Sequence, residues 1–357
     1  MNGQPLPHPL EGTVTAVQAN FYQVQLQAEL GQLLCTRRTR LKKIGQRVMV
    51  GDRVIVEEPG FQDRRGAIAQ VLPRQTELDR PPVANADQLL LVFALAEPAL
   101  DPWQLSRFLI KAESTGLPLL LGLNKQDLLS TAARQAWGDR LRQWGYAAVF
   151  FSVQQDQGID HLEAQLKDKI TVVAGPSGVG KSSLINRLIP EASLRVGEVS
   201  GKLQRGRHTT RHVELFPLPQ GGLLADSPGF NQPDWSILPQ DLPRCFPEIR
   251  AFLRDNHCQF KDCLHLQEPH CAVGRDWERY EIYKKCLEEA IAYKEAQQQQ
   301  GDSETQLKIK ITAAGKKTHE PKLATKKYRR TSRREQQQNL KDLYEKQSVD
   351  ELCGDED

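Results

Sequence analysis

Between residues 10 and 72 apolar and polar side chains alternate with a period of two. Residues 12–17, 21–26, 32–35, 47–50, 52–56 and 66–71 each read as a short strand, and glycines, Asn20 and Pro59 punctuate them. About five strands in roughly sixty residues predict a small β-barrel of the oligonucleotide-binding (OB) kind. From about residue 83 to 230 the pattern changes to apolar runs separated by helical spacing. Residues 88–95 and 117–123 are apolar almost throughout, 147–151 and 169–174 are further strand runs, and 131–144 and 181–189 carry helical periodicity. Asp101, Pro102 and Trp103 open another helix with an acidic cap and an early proline. Alternating strands and helices predict a parallel sheet covered by helices on both faces. Residues 190–212 form a long polar connection containing Gly197, Gly201 and Gly206, and a connection of that length is functional or mobile. Residues 275–298 place Trp277, Tyr280, Ile282, Tyr283, Cys286, Leu287, Ala290, Ile291 and Tyr293 on one stripe of an amphipathic helix.

The chain has 357 residues, 39% hydrophobic and 26% charged, enough for two or three domains with cores of their own. No apolar run approaches the roughly 18 residues of a membrane span, and the first residues lack the basic and apolar regions of a signal peptide. A cytoplasmic protein with no membrane contact is expected. Seven cysteines, an odd number with three between 258 and 271, fit thiols and a metal site better than a disulfide framework. The net charge of +3 conceals an asymmetry: eleven Lys or Arg lie between Lys308 and Arg334 against one acidic residue, Glu320. That segment reads as a flexible basic arm that orders on an anionic partner, RNA, with an acidic end at 350–357; the alternative is a solvated tail.

Candidate chemistry sharpens the picture. Gly175, Pro176, Ser177, Gly178, Val179, Gly180, Lys181 and Ser182 form a phosphate-binding loop between a strand and a helix. Its glycines let backbone N–H groups converge, Lys181 reaches the β- and γ-phosphates, and Ser182 ligates Mg²⁺. Asn124, Lys125, Gln126 and Asp127 precede that loop in the chain, whereas the common guanine-nucleotide switch has the reverse order. The Asp127 carboxylate accepts from the N1–H and N2–H₂ of guanine; adenine offers no such pair and would leave it unpaired. Asp226 and Gly229 frame a D-x-x-G after an apolar strand, suited to water-mediated Mg²⁺ and the γ-phosphate. Cys258, Cys263, His265 and Cys271 make a closed set of three thiolates and an imidazole for one structural Zn²⁺, with His257 and His270 as alternative ligands. Cys35, Cys245, Cys286 and Cys353 are ordinary thiols.

The order of these motifs, with a barrel before and a Cys/His cluster after, resembles the circularly permuted ribosome small subunit-dependent GTPase A (RsgA) family over residues 10 to about 300. The resemblance implies a multidomain chain: a flexible start (1–9), an OB-like barrel (10–75), a permuted α/β P-loop GTPase domain (80–235), a helical zinc-binding domain (236–300), and beyond the resemblance the arm (301–357). It implies GTP and GDP as ligands, the small ribosomal subunit and its rRNA as partners, GTP hydrolysis late in subunit maturation, and, for this chain, a monomer. Carried over, Asn124, Lys125 and Asp127 form the guanine loop, Ser152 a weaker base contact, residues 175–182 with Ser183 the phosphate loop, Thr209 or Thr210 the Mg²⁺-sensing threonine, and Asp226 with Gly229 the second switch. Phe230 stands where Ras-like enzymes have a water-orienting glutamine, which predicts slow intrinsic hydrolysis. His208 is the candidate to position the water, or else an rRNA contact. Two rival readings are an rRNA-binding scaffold whose nucleotide site is structural, and a metabolic P-loop NTPase, which Asp127 disfavours.

Overall fold

The computed structural model describes residues 10–27, 30–79, 81–190, 213–226, 237–266, 268–304, 307–311 and 317–321. They fall into two compact units, residues 1–293 and 294–357.

Strands β1 (Leu10–Gln18), β2 (Phe21–Leu26), β3 (Gln32–Arg37), β4 (Arg53–Gly60) and β5 (Arg65–Val71) close into a barrel in the order β1-β2-β3-β5-β4, as the alternation predicts. Only β3 and β5 pair in parallel. Val14, Tyr22, Val24, Leu33, Cys35, Val54, Val56 and Ile68 fill the barrel interior. Residues 47–50 depart from the strand expectation. A short helix α1 (Thr39–Lys43) precedes them, and Asp52 folds the segment into a turn by accepting from the Met49 N–H at 2.7 Å and from Arg74 Nε at 2.7 Å. Val50 is left to make one parallel bridge with Val83. The turn closes on Gly51, whose φ of +87° suits glycine and where a Cβ would stand 2.0 Å from the Ala84 carbonyl oxygen. The barrel is thereby clamped onto the hairpin β6 (Glu77–Asp79) and β7 (Pro82–Ala84) that carries the chain into the next domain.

The central sheet contains β8 (Gln88–Ala94), β9 (Leu119–Asn124), β10 (Ala148–Phe150), β11 (Ile170–Ala174), β12 (Leu215–Pro217) and β13 (Leu223–Asp226) in the order β10-β9-β8-β11-β13-β12. All neighbours are parallel except β12 and β13. The all-apolar reading of β8 has a direct cause, since its side chains alternate between two cores. Leu89, Leu91 and Phe93 pack under α2 (Pro102–Glu113) and α3 (Thr131–Gln143), whereas Leu90, Val92 and Ala94 pack under α4 (Ile159–Leu166) and α5 (Lys181–Leu188). Asp101 caps α2, accepting from the N–H groups of Trp103 and Gln104. On the outer edge, Ala16 of the barrel makes an antiparallel bridge to Glu214, beside β12.

The region after the sheet folds as α6 (Pro247–Phe252) and α7 (Tyr280–Glu304), the latter starting five positions later than the apolar stripe. Phe246, Tyr283, Cys286 and Leu287 form its core with Ile110 of α2. Its seam with the sheet domain is ionic and aromatic. Arg279, fully buried, donates from Nε to Glu248 at 2.7 Å and lies within about 5 Å of the Trp144 and Phe246 rings. Glu278 accepts from Trp144 Nε1 at 2.8 Å and from Arg140, and Arg107 pairs with Glu289 at 2.7 Å. In the second unit, β14 (Leu307–Ile311) and β15 (Lys317–Pro321) form an antiparallel hairpin in the basic segment. No helix among the described residues is long and apolar enough to cross a membrane.

Glu248→Ala strands the Arg279 guanidinium in this seam. A loss of about 3–5 kcal/mol in unfolding free energy is expected by urea titration, against a much smaller change when Glu248→Leu and Arg279→Met are combined.

Candidate functional site

The carboxyl ends of the parallel strands gather the candidate residues. Asn124 ends β9, Ser152 follows β10, Gly175 follows β11, and Asp226 ends β13 in register with Val173. The motif order in the chain is permuted, but the places in the sheet are those of one crevice.

The phosphate loop is built around three glycines with positive φ: Gly175 (139°), Gly178 (82°) and Gly180 (95°). A Cβ on Gly175 would meet the Val92 carbonyl oxygen at 2.1 Å, so only glycine lets the loop turn off β11 over its neighbour. Lys181 donates to the Gly175 and Pro176 carbonyls at 2.8 and 2.6 Å, which folds its ammonium back over the loop. Ser182 and Ser183 occupy the first turn of α5, whose N–H groups and dipole favour an anion.

One side chain unites three loops. Asn124, buried, donates from Nδ2 to the Val179 carbonyl at 2.9 Å in the phosphate loop. Its Oδ1 accepts from the N–H of Lys125 at 2.8 Å and of Val153 at 3.2 Å. Gly180 permits this approach, because a Cβ there would lie 2.4 Å from Asn124 Nδ2. Lys125, at φ 61°, donates from Nζ to the Glu97 carbonyl. Ser152 is fully buried and its hydroxyl accepts from the Gln155 N–H at 3.1 Å, so it shapes the turn that carries Val153. Asp127 differs from its neighbours: its Oδ1 is buried and has no protein partner. A buried carboxylate oxygen without a donor is costly, and guanine supplies the missing donors. Sequence reasoning missed Arg134, which donates to Gln126 at 3.3 Å and steadies the base loop; its spacing of eight residues carries no motif signal. His208, Thr209, Thr210, Gly229 and Phe230 lie outside the described residues.

The second constellation is the Cys/His cluster. The ligand atoms of Cys258, Cys263, His265 and Cys271 lie within 4.8 Å of one another. His265 Nδ1 is 3.6, 3.5 and 3.5 Å from the sulfurs of Cys258, Cys263 and Cys271, and the Cys258 and Cys271 sulfurs are 3.9 Å apart. A tetrahedral Zn²⁺ requires S···N edges of about 3.5–3.6 Å and S···S edges of about 3.8 Å. The donor set is compatible with zinc, and the alternatives His257 and His270 are not in it. Burial pushes the Cys263 thiol up to about 12 and the His265 imidazole down. The neutral imidazole is thus the available ligand, while the Cys263 and Cys271 thiols, both raised by burial, require a cation to ionise them. Glu268, also missed from the sequence, accepts from the Leu264 and Leu266 N–H groups at 2.8 Å each; burial opposes its charge, but these donors hold its carboxyl below the ordinary range. The Tyr280 hydroxyl donates to the Leu266 carbonyl at 3.1 Å, and that of Tyr283 to Leu264, tying the knuckle to α7.

Asp127→Asn replaces an acceptor with a donor where guanine presents donors. Affinity for GTP is expected to fall at least 100-fold, with xanthosine triphosphate, which has a carbonyl at that position, binding better than GTP; calorimetric titration with both nucleotides checks this.

Comparison with known proteins agrees with this geometry. Residues 71–236 match the family described as RsgA GTPase. The chain is 61% identical over 349 residues to the small ribosomal subunit biogenesis GTPase RsgA of Microcystis aeruginosa, covering 97% of each chain. It is similar to the crystal structure of YjeQ from Thermotoga maritima, with a TM-score of 0.67 and 31% identity over 79% of this chain and 98% of that one. It is similar also to the structure of YloQ, a circularly permuted GTPase, with a TM-score of 0.68 and 31% identity over 82% of this chain and 99% of that one. The permuted order of base and phosphate loops, their reunion at one sheet edge and these matches place the chain in the RsgA GTPase family.

Proposed function

We propose that this chain is a GTPase that binds the small ribosomal subunit through its rRNA and hydrolyses GTP to GDP and phosphate during late maturation of that subunit. The observation that carries the reading is the buried, partnerless Asp127 oxygen on the same sheet edge as the phosphate loop. The names of its relatives supply the ribosomal context.

In this reading Asp127 reads guanine, Lys125 flanks the base, and Asn124 with the Ser152 turn holds the base loop in place. Residues 175–183 wrap the phosphates. Ser182 and Asp226, with Thr209 or Thr210, would hold Mg²⁺, and Gly229 would meet the γ-phosphate. Mg²⁺ held there would supply positive charge to neutralise the phosphate oxygens. Phe230 has no hydrogen-bonding group to orient water, so intrinsic turnover is slow and His208 positions the water once the subunit is bound. The four ligands at 258–271 hold one structural Zn²⁺ per chain, with no position left for a catalytic water.

The barrel supports an RNA-facing role. Phe21 and Leu34 are 49% and 45% exposed on β2 and β3, and Arg65 pairs with Leu34 across the sheet. Exposed apolar side chains on two neighbouring strands, with Arg65 opposite Leu34, suit bases and phosphates. The working parts are the barrel at 10–75, the GTPase domain at 80–235, the zinc-binding domain at 236–300 and the basic arm at 301–357. The protein acts in the cytoplasm as a monomer.

GTP hydrolysis, with ATP as control, is measured alone and with purified small subunits at low salt. A large GTP-specific stimulation is expected; turnover that stays negligible with subunits present overturns the reading. His208→Ala is expected to lower stimulated turnover 10²-fold or more, the range of general acid–base contributions, with GTP affinity nearly intact; equal losses in both would mark a binding role instead. Elemental analysis is expected to find one zinc per chain, and Cys263→Ser to abolish its retention and lower the thermal midpoint.

A further inference from the structure

The loop after β8 has no role in the motifs above, yet the topology gives it a particular place. β8 lies between β9, which carries the base loop, and β11, which carries the phosphate loop. The segment leaving its carboxyl end must therefore emerge between the two. Both ends of that segment are fixed. Leu95 and Leu100 are buried in the core, the Leu95 N–H donates to the Asn124 carbonyl at 3.0 Å, and Asp101 caps α2 immediately afterwards. Residues 97–99 between these anchors are exposed.

The tip touches both neighbouring loops. The Glu97 carbonyl accepts from Lys125 Nζ. Among the described residues other than its chain neighbours, Pro98 Cδ is the one atom within 4 Å of where a Cβ on Gly178 would stand, at 3.9 Å, so its ring borders the open side of the phosphate loop. We propose that Glu97 and Pro98 form a third wall of the nucleotide site, positioning Lys125 against the phosphate loop and so setting how fast a guanine nucleotide is released. The inference rests on the GTP-site reading above.

Two physical points support the assignment. A lysine side chain carries large rotamer entropy, and a fixed acceptor at its tip removes that cost from the binding step. The acceptor is a neutral main-chain carbonyl, so the ammonium keeps its net charge for an anionic ligand; a carboxylate partner would cancel it. The recognition is by backbone, which leaves no side-chain motif to mark it.

The test uses the full-length protein and dissociation of a fluorescent GDP analogue followed by stopped flow. Pro98→Ala and Lys125→Met are each expected to accelerate release roughly ten-fold, the scale of a lost hydrogen bond to a charged group. The double variant is expected to release no faster than the faster single one, because both act on one element. Pro98→Ala is expected to leave the preference for GTP over ATP and the nucleotide-free thermal midpoint unchanged. Pro98→Val, which keeps a branched apolar group at the tip, is expected to recover slow release at least in part. Parent-like release from Pro98→Ala, or strictly additive effects in the double variant, overturns the proposal. Asp127→Asn run in parallel separates the two levels: if it retains guanine preference the site reading itself falls, and if it loses that preference while Pro98→Ala releases normally, only the third wall falls.

Discussion

The nucleotide crevice depends on one carboxamide. Asn124 reaches the Val179 carbonyl, the Lys125 N–H and the Val153 N–H, and these belong to three loops on three different strands. Each loop is a backbone excursion beyond the end of a strand, anchored by its own buried residue, Gln126, Ser152 or Val179. Joined through a buried side chain with both polar atoms engaged, they hold a common geometry before any ligand arrives. The glycine at 180 is part of the same constraint, since any side chain there would occupy the space of the Asn124 amide. A group at the end of β9 thus controls the shape of a loop more than fifty residues later in the chain, and the permuted order has no effect on it because the contact is made through space.

Around this crevice the domains are fixed by different chemistry at two junctions. The barrel is held by backbone crowding at Gly51 and the Asp52–Arg74 pair, a junction of short polar reach. The region that carries the Cys/His cluster is held by aromatic rings and buried charge, with Arg279 within about 5 Å of both the Trp144 and Phe246 rings. Buried ion pairs contribute little net stability against apolar replacements, but they tolerate few alternative arrangements. The seam therefore serves position more than strength, and α7 carries that position directly to the Cys/His knuckle through its tyrosines.

The sequence made much of this legible, for identifiable reasons. Strands buried on both faces read as unbroken apolar runs, so β8 and β9 were visible, and the glycines at 175, 178 and 180 announced a loop that needs positive φ. The Cys/His cluster was visible because the spacing of its cysteines and histidine is local. Residues 47–50 misled because Val48, Met49 and Val50 are buried as a strand would be, while Asp52 and Arg74 redirect the backbone from 22 residues apart. The same limit hid Arg134, Glu268 and the Glu248–Arg279 pair, whose partners are brought together only by tertiary structure or by main-chain groups that leave no mark in a sequence.

The bridge between Ala16 and Glu214 has one more consequence. A sheet ending in an exposed strand offers a row of unpaired amides and carbonyls to any other chain, and proteins that must stay separate cover such edges. Beside β12, that edge meets the barrel. At the opposite end, β10 has only three residues, too short a template for another strand to extend. The N-terminal domain therefore also meets the central sheet at the end of its outer strand, where such an edge begins.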